Sequence, residues 1–209
     1  MPRTYAACLI DVFNTVLSVD NPAYLAALAE SAGIDLDSFV SATEQWSPRT
    51  SVGSLTIRQA LEETLRVCGS AASPEALARL VAEEARLLHE HCTIHDETVP
   101  FLEALRERGV RSAFVSNCAD NTRPLLDAYG LTGLVDELVL SCEVGSSKPA
   151  PGIYAAALER LGVRAEEAVF VDDEPAFCDG ARSLGIRAFR LDRDGRGEVS
   201  RLHDLLEWL

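Results

Sequence analysis

Lysine is almost absent from this chain: Lys148 stands alone beside 18 arginines, so any task that needs a side-chain amine has one candidate. Basic residues as a whole are scarce, with 19 Lys and Arg against 33 Asp and Glu, a formal charge of −14 and an isoelectric point near 4.7. So acidic a surface argues against nucleic acid as a partner, because phosphate backbones are held by clustered Lys and Arg. Anionic membrane surfaces are disfavoured for the same reason. No apolar run approaches the roughly 20 residues of a membrane span, and the first such stretch, Ala6 to Ile10, is stopped by Asp11. The six cysteines show no C-x-x-C pair and no dense spacing, which speaks against a disulfide framework or a zinc cluster. Several lie in apolar strand-like runs, where a free thiol behaves as a small buried hydrophobe. Cys118 has no histidine in its surrounding segment to activate it as a nucleophile. In the cluster His89, His91, Cys92 and His95, His89 stands two residues from His91 and six from His95, spacings that do not share a helix face, so the cluster reads as a helix end at a hinge rather than a metal site. These absences lead us to expect a cytoplasmic protein without a signal peptide, handling a small molecule as a monomer or homodimer.

What is present is an apolar content of 47% in 209 residues, enough for one globular domain carrying a small insertion. Residues 6–13 (AACLIDVF) read as a buried parallel strand ending in an acid. From Pro22 to His91 the pattern is helical. Pro22 opens a helix that Gly33 closes, a second segment lies around Phe39 to Trp46, and the capping box Thr56…Gln59 starts a third that stops at Gly69. Ser73-Pro74 starts a fourth. The chain then alternates: a helix to Arg108, a strand at 111–116, a helix to Tyr129, a strand at 137–141 and a helix from Pro151 to Leu161. A strand at 168–172, a helix to Leu184, a strand at 186–191 and a last helix ending in Leu205, Leu206, Trp208 and Leu209 complete it. Such alternation predicts an α/β fold, a doubly wound parallel sheet, with core segments 1–17 and 93–209 and a helical cap over 18–92. Ligands of such sheets lie beyond the carboxyl ends of the strands. That rule nominates Asp11, Ser116, the loop to Lys148, and Asp172 with Asp173.

Four short segments therefore meet at one sheet edge: DVFNT (11–15), SN (116–117), SSKP (146–149) and VDDEP (171–175). In this order, with a helical insertion after the first strand and with PGIY and GARSLG downstream, they resemble the haloacid dehalogenase superfamily of hydrolases. The resemblance covers nearly the whole chain and implies a Rossmann-like core with a cap. It implies Asp11 as a carboxylate nucleophile that forms a covalent intermediate. Thr15 and Ser116 would hold the anionic group of the substrate, Lys148 would neutralise charge, and Asn117 would help bind. Mg²⁺ is the implied cofactor, with Asp11, the Phe13 carbonyl, Asp172 and Asp173 as its ligands. From the cap, Trp46, Arg49 and Arg58 are candidates, Arg49 because a guanidinium grips a carboxylate or phosphate with two bonds. For each cap residue a surface or core-packing role competes.

The chain departs from the family pattern in two places. Family phosphatases usually carry a second Asp two positions after the nucleophile, which protonates the leaving group; here Phe13 stands there and cannot transfer a proton. An aromatic at this position resembles the 2-haloacid dehalogenase branch, where attack is at carbon and halide leaves unprotonated. That branch needs no metal, and adjacent acids such as Asp172 and Asp173 would repel one another without a cation. Phe177 also replaces a side chain that is commonly polar in the phosphatases. The leading expectation is a Mg²⁺-dependent phosphatase of a small phosphorylated metabolite. The alternatives are a metal-independent dehalogenase, with Arg49 on the carboxylate and Tyr154 and Lys148 assisting, and a weakly active or inactive ligand-binding member. Glu174 is the candidate for the missing acid/base. A carbon–phosphorus-cleaving relative would need a cap lysine, and this cap has none.

Overall fold

The computed structural model describes residues 5–209. Five parallel strands form the central sheet: β1 (Ala7–Ile10), β4 (Arg111–Ser116), β5 (Glu137–Leu140), β6 (Ala168–Asp172) and β7 (Arg187–Arg190), in the spatial order β5-β4-β1-β6-β7. β1 lies in the middle with all four residues buried. The chain builds out to one side of β1 through β4 and β5, then returns to its other side through β6 and β7. The order reverses at β1, so the carboxyl ends of β1, β4 and β6 flank the crevice where α/β sheets bind ligands.

The pleat sorts side chains between two cores. On one face Cys8, Ile10, Phe114 and Val171 pack with Phe101, Leu102 and Leu105 of α5 (Thr98–Glu107) and Leu125 and Leu126 of α6 (Thr122–Ala128). On the other, Leu9, Ala113, Val115 and Phe170 pack with Ile153, Tyr154 and Ala157 of α8 (Pro151–Leu161) and Cys178 and Ala181 of α9 (Pro175–Ser183). Both faces of the parallel sheet are thus covered.

Four helices stand between β1 and β4: α1 (Asn21–Ala32), α2 (Leu36–Ser51), α3 (Ile57–Val67) and α4 (Pro74–Glu90). Each starts on a side-chain cap: Asp20, Asp35, Thr56 with the reciprocal Gln59 bond, and Ser73. They share a separate apolar core around Phe39, Leu28, Leu61, Leu65 and Leu80. Where the chain leaves and re-enters the sheet domain, β2 (Leu17–Val19) and β3 (Cys92–Ile94) pair antiparallel. The His89–His95 region runs from the end of α4 through β3, and the His89 ring stacks on Tyr129 at 4.6 Å.

Several bounds differ from the sequence expectation. The strand expected over 6–13 ends at Ile10 because Asn14 takes a left-handed φ of 63° and Val16 and Leu17 turn back to the Val12 carbonyl. The strand expected to reach residue 141 stops at Leu140, where the short helix α7 (Ser141–Val144) begins. The second cap helix runs longer than expected and passes through Pro48. The C-terminal helix is a 3₁₀ segment, Leu202–Glu207.

Cap helices and sheet domain meet through few polar contacts. Glu84, on α4 and only 2% exposed, accepts at Oε1 from Tyr24 of α1 and from Asn121, just before α6, both at 2.7 Å. The Ile57 N–H donates to Asp120 at 2.8 Å. Burial raises the Glu84 carboxyl above its ordinary value, and the bonds from Tyr24 and Asn121 only partly offset that. A raised acid favours the fold while protonated and loses that contribution as pH rises through its folded value. Unfolding in denaturant across a pH series should therefore show stability falling above the usual glutamate range, with Glu84→Gln flattening that fall. An unchanged slope in the variant would contradict this placement.

Candidate active site

Asp11 follows β1 directly and is 5% exposed, with its N–H still on the β6 ladder through Val171 O at 3.0 Å. Lys148, on the loop before α8, has a side chain with no exposure. Its Nζ donates to Asp11 Oδ1 at 2.5 Å and to Asp172 Oδ2 at 2.6 Å. Asn117 fixes the lysine backbone from both sides: its Nδ2 donates to Lys148 O at 2.8 Å, and its Oδ1 accepts from Lys148 N at 2.7 Å. The ring of Phe177 lies 5.0 Å from Nζ and that of Phe170 5.6 Å. The lysine is thus dry, clamped and enclosed by aromatic faces.

Three carboxylates gather at this ammonium. One oxygen each of Asp11, Asp172 and Asp173 lies within 4.8 Å of the others. Burial opposes the lysine charge, but Asp11 and Asp172 outweigh it and hold Lys148 above its usual value. A single ammonium does not neutralise three acids. Burial and then the Asp11 charge push Asp172 up to about 7 despite its lysine bond. The same two causes raise Asp173, whose carboxyl also takes a bond from the Asn14 side chain. Fully ionised, the three acids leave two negative charges uncompensated against one ammonium, which suits a divalent cation. All the donors are oxygens, the set Mg²⁺ takes. The residues therefore fit the metal. Asp172 is already engaged at both oxygens, by Lys148 and by the Glu174 N–H at 2.8 Å, so Asp173 is the freer carboxylate.

Thr15 and Ser116 have fully buried hydroxyls with no partner among the described residues, an uncommon state for buried polar atoms. The cleft over Asp11 measures about 360 Å³ and is lined by Phe13, Asn14, Lys148, Asp173, Glu174 and Phe177 among others. A second chamber of about 440 Å³ shares Phe13, Asn14 and Asn117 with it and extends to Tyr24, Ser47 and Leu88 of the cap. A larger depression, about 660 Å³ between Tyr5, Arg187 and Trp208, lies away from Asp11, Asp172 and Asp173.

The structure brings together Asp11, Phe13, Lys148, Asp172, Asp173 and Asn117, but corrects other expectations. Tyr154 is fully buried behind the sheet, where its hydroxyl donates to the Phe177 carbonyl at 2.7 Å, so it does not reach the cleft. Asn117 spends its amide on the Lys148 backbone. Arg49 lies 5.7 Å from the Trp46 ring on exposed α2, and Trp46 lines a cavity inside the cap; neither lines the two chambers at Asp11. A helix's start and stop signals do not say which of its faces turns toward a distant strand end. Asn14 and the packing of Phe177 on Lys148 went unread; an Asn suited to a left-handed turn was the one available signal for the former.

A buried nucleophile-like carboxylate at the middle strand, backed by a lysine and two further acids under a helical insertion, defines a capped α/β hydrolase scaffold. The chain belongs to the haloacid dehalogenase-like hydrolase family, whose model matches residues 5–185. It is 36% identical over 143 residues to a phosphoserine phosphatase of Thermus thermophilus, covering 68% of this chain and 55% of that protein. The chain spans about half the length of the curated relatives it matches. Among solved structures, a HAD phosphatase from Thermococcus onnurineus aligns over 96% of both chains with TM-score 0.70 and 25% identity. The fold is also shared with a Bacteroides thetaiotaomicron HAD enzyme in complex with magnesium and inorganic phosphate (TM-score 0.72, 18% identity, 90% and 94% coverage). It is shared as well with the L-2-haloacid dehalogenase of Xanthobacter autotrophicus (TM-score 0.64, 24% identity, 91% and 78% coverage).

Removing the lysine tests the electrostatics. Lys148→Met leaves two buried carboxylates unpaired and should cost about 3–5 kcal/mol in denaturant unfolding. The loss should be greater above neutrality than in mild acid, where Asp172 takes up a proton. A pH-independent loss would contradict the shared-ammonium arrangement.

Proposed function

We propose that this chain hydrolyses small phosphate monoesters through a phosphoryl group carried on Asp11. The observation behind this reading is the pair of uncompensated negative charges beside an Asp11 whose Oδ1 is held by Lys148 and whose Oδ2 has no bond to the described residues. Asp11 Oδ2 attacks phosphorus; the ester oxygen departs and takes a proton; water then splits the aspartyl phosphate. Lys148 holds the nucleophile in place and offsets charge that builds up on the phosphoryl oxygens. The unpartnered hydroxyls of Thr15 and Ser116 donate to those oxygens. Asn117 acts by fixing the lysine backbone.

Asp11, Asp173 and the Phe13 carbonyl would hold Mg²⁺, with Asp172 serving as the lysine's second partner. When bound, the ion supplies the missing positive charge at the phosphoryl group. Phe13 removes the usual acid, and Glu174, which is exposed and lines the same cleft, is the group we assign to the leaving oxygen. Substrates with acidic leaving groups, such as acyl or aryl phosphates, need that proton least. Phe13 is also the observation that keeps dehalogenation in view, because halide needs no proton. Asp173 and the charge excess count against that reading.

Metal binding is testable without turnover. Mg²⁺ should raise the melting temperature, and Asp173→Asn should abolish the rise; an equal rise in the variant would place the ion elsewhere. A panel of phosphate esters, acyl phosphates and 2-haloacids, assayed with Mg²⁺ and with chelator, tests the chemistry. Mg²⁺-dependent phosphate release that disappears in Asp11→Asn is expected, and chelator-indifferent halide release would overturn the proposal. Glu174→Gln should slow alkyl phosphates by about 10²–10⁴ and aryl phosphates far less. Equal turnover on both would remove Glu174 from the acid/base role.

A further inference from the structure

Two thiols lie at the rim of the site without a part in this chemistry. β4 and β5 pair in parallel with Ser116 opposite Leu140, so Cys118 and Cys142 each stand two residues beyond a registered pair of neighbouring strands. At that last pair the neighbouring strands lie about 4.8 Å apart, and a disulfide spans Cα atoms about 4.4–6.8 Å apart. Ser141 holds the two segments side by side: its Oγ accepts from Cys118 N at 2.9 Å and donates to Cys118 O at 3.3 Å. The Cys118 sulfur then faces the Cys142 thiol, the Thr122 hydroxyl and the N–H groups of Ser141 and Cys142. Both cysteines are free in this structure.

We propose that Cys118 and Cys142 are a redox-modification site, forming a reversible disulfide that switches off the neighbouring cleft. The donors around it hold the Cys118 thiol below its ordinary range, the Cys142 thiol first among them, while Cys142 is pushed up. Cys118 is therefore the attacking sulfur. Its thiolate displaces one thiolate from a small-molecule disulfide, giving a mixed disulfide. Cys142 loses its proton and displaces the second. Two protein thiols are oxidised and the reagent is reduced to two thiols. Access runs from the Cys142 side, where that residue is half-buried, and through the chamber under the cap, which Cys118 lines although it is only 7% exposed.

Both segments carry parts of the site, which is why the bond matters. Asn117, next to Cys118, clamps the Lys148 backbone. The Cys142 carbonyl supports the cap turn at Gly53, where a Cβ would fall 1.9 Å from that oxygen. Gly53 itself has φ +71°. Drawing the sulfurs to about 2.05 Å shifts either the lysine clamp or the seat of the cap. The other cysteines offer no such pair: Cys8, Cys92 and Cys178 are buried with their thiols raised by that burial, and Cys68 ends α3.

The test is to incubate the full chain with oxidised glutathione, count free thiols, map peptides by mass spectrometry, and then assay turnover before and after reductant. We expect loss of two of the six thiols, a Cys118–Cys142 linked peptide pair, and turnover that is lost on oxidation and restored by reductant. Cys142→Ser, and Cys142→Ala should the serine fold poorly, should keep basal turnover and resist inhibition. A different linkage, only glutathione adducts, or a correctly linked protein with unaltered turnover would each overturn the proposal. The thiol count and peptide map do not depend on the phosphatase reading, so its failure would leave the linkage result intact.

Discussion

One buried ammonium organises this protein. Lys148 is shared between Asp11 and Asp172, which come from strands that are neighbours in space and far apart in sequence. Taking three charges out of water is costly, and the attraction among them repays that only with close geometry and satisfied donors. The chain supplies both. The β1–β6 pairing aligns the two carboxylates, Asn117 fixes the lysine backbone, and Phe170 and Phe177 close over its charge. The arrangement is nonetheless incomplete in charge. Asp173 adds a third acid, and the raised Asp172 and Asp173 carboxyls express the shortage of positive charge directly. Scaffold stability and readiness for an anion-handling cation come from the same few groups.

The fold makes that cluster possible by reversing strand order at β1. The strand ends of β1, β4 and β6 then open on one crevice, and the loops that follow them are free to carry chemistry while both faces of the sheet stay packed. The helical insertion leaves from the loop after Asp11 and returns by a ribbon of only three residues per strand. A thin connection, with few polar contacts such as Glu84 to Asn121, suits a cap that admits substrate and then excludes water. Phe13 and Asn14 line both chambers, and they sit where the cap begins.

Much of this was legible in the residues. Parallel strands announced themselves as apolar runs such as AVFVD, and the cap helices by Pro22, Thr56 with Gln59, and Ser73-Pro74, because caps and prolines act locally. The acids and the lone lysine were placed at one edge by topology alone. β2 and β3 escaped notice because three residues carry too little periodicity to read. Tyr154 was misplaced because α8 turns that face onto the sheet core, a matter of helix rotation about its axis. Arg49 and Trp46 failed similarly on α2. Phe177 read as a lost polar group, yet its ring covers the lysine, a contact visible only once α9 is set against the loop at residue 148.

The proposed chemistry hinges on the Asp11 carboxylate as the group that receives phosphorus. The most direct measurement is rapid acid quench during turnover of a phosphate monoester, followed by borohydride reduction and peptide mass spectrometry. Homoserine is expected at position 11, formed from an aspartyl phosphate and absent without substrate. Turnover of the ester with residue 11 recovered unmodified at every quench time, or with the reduced residue at another carboxylate, would contradict it.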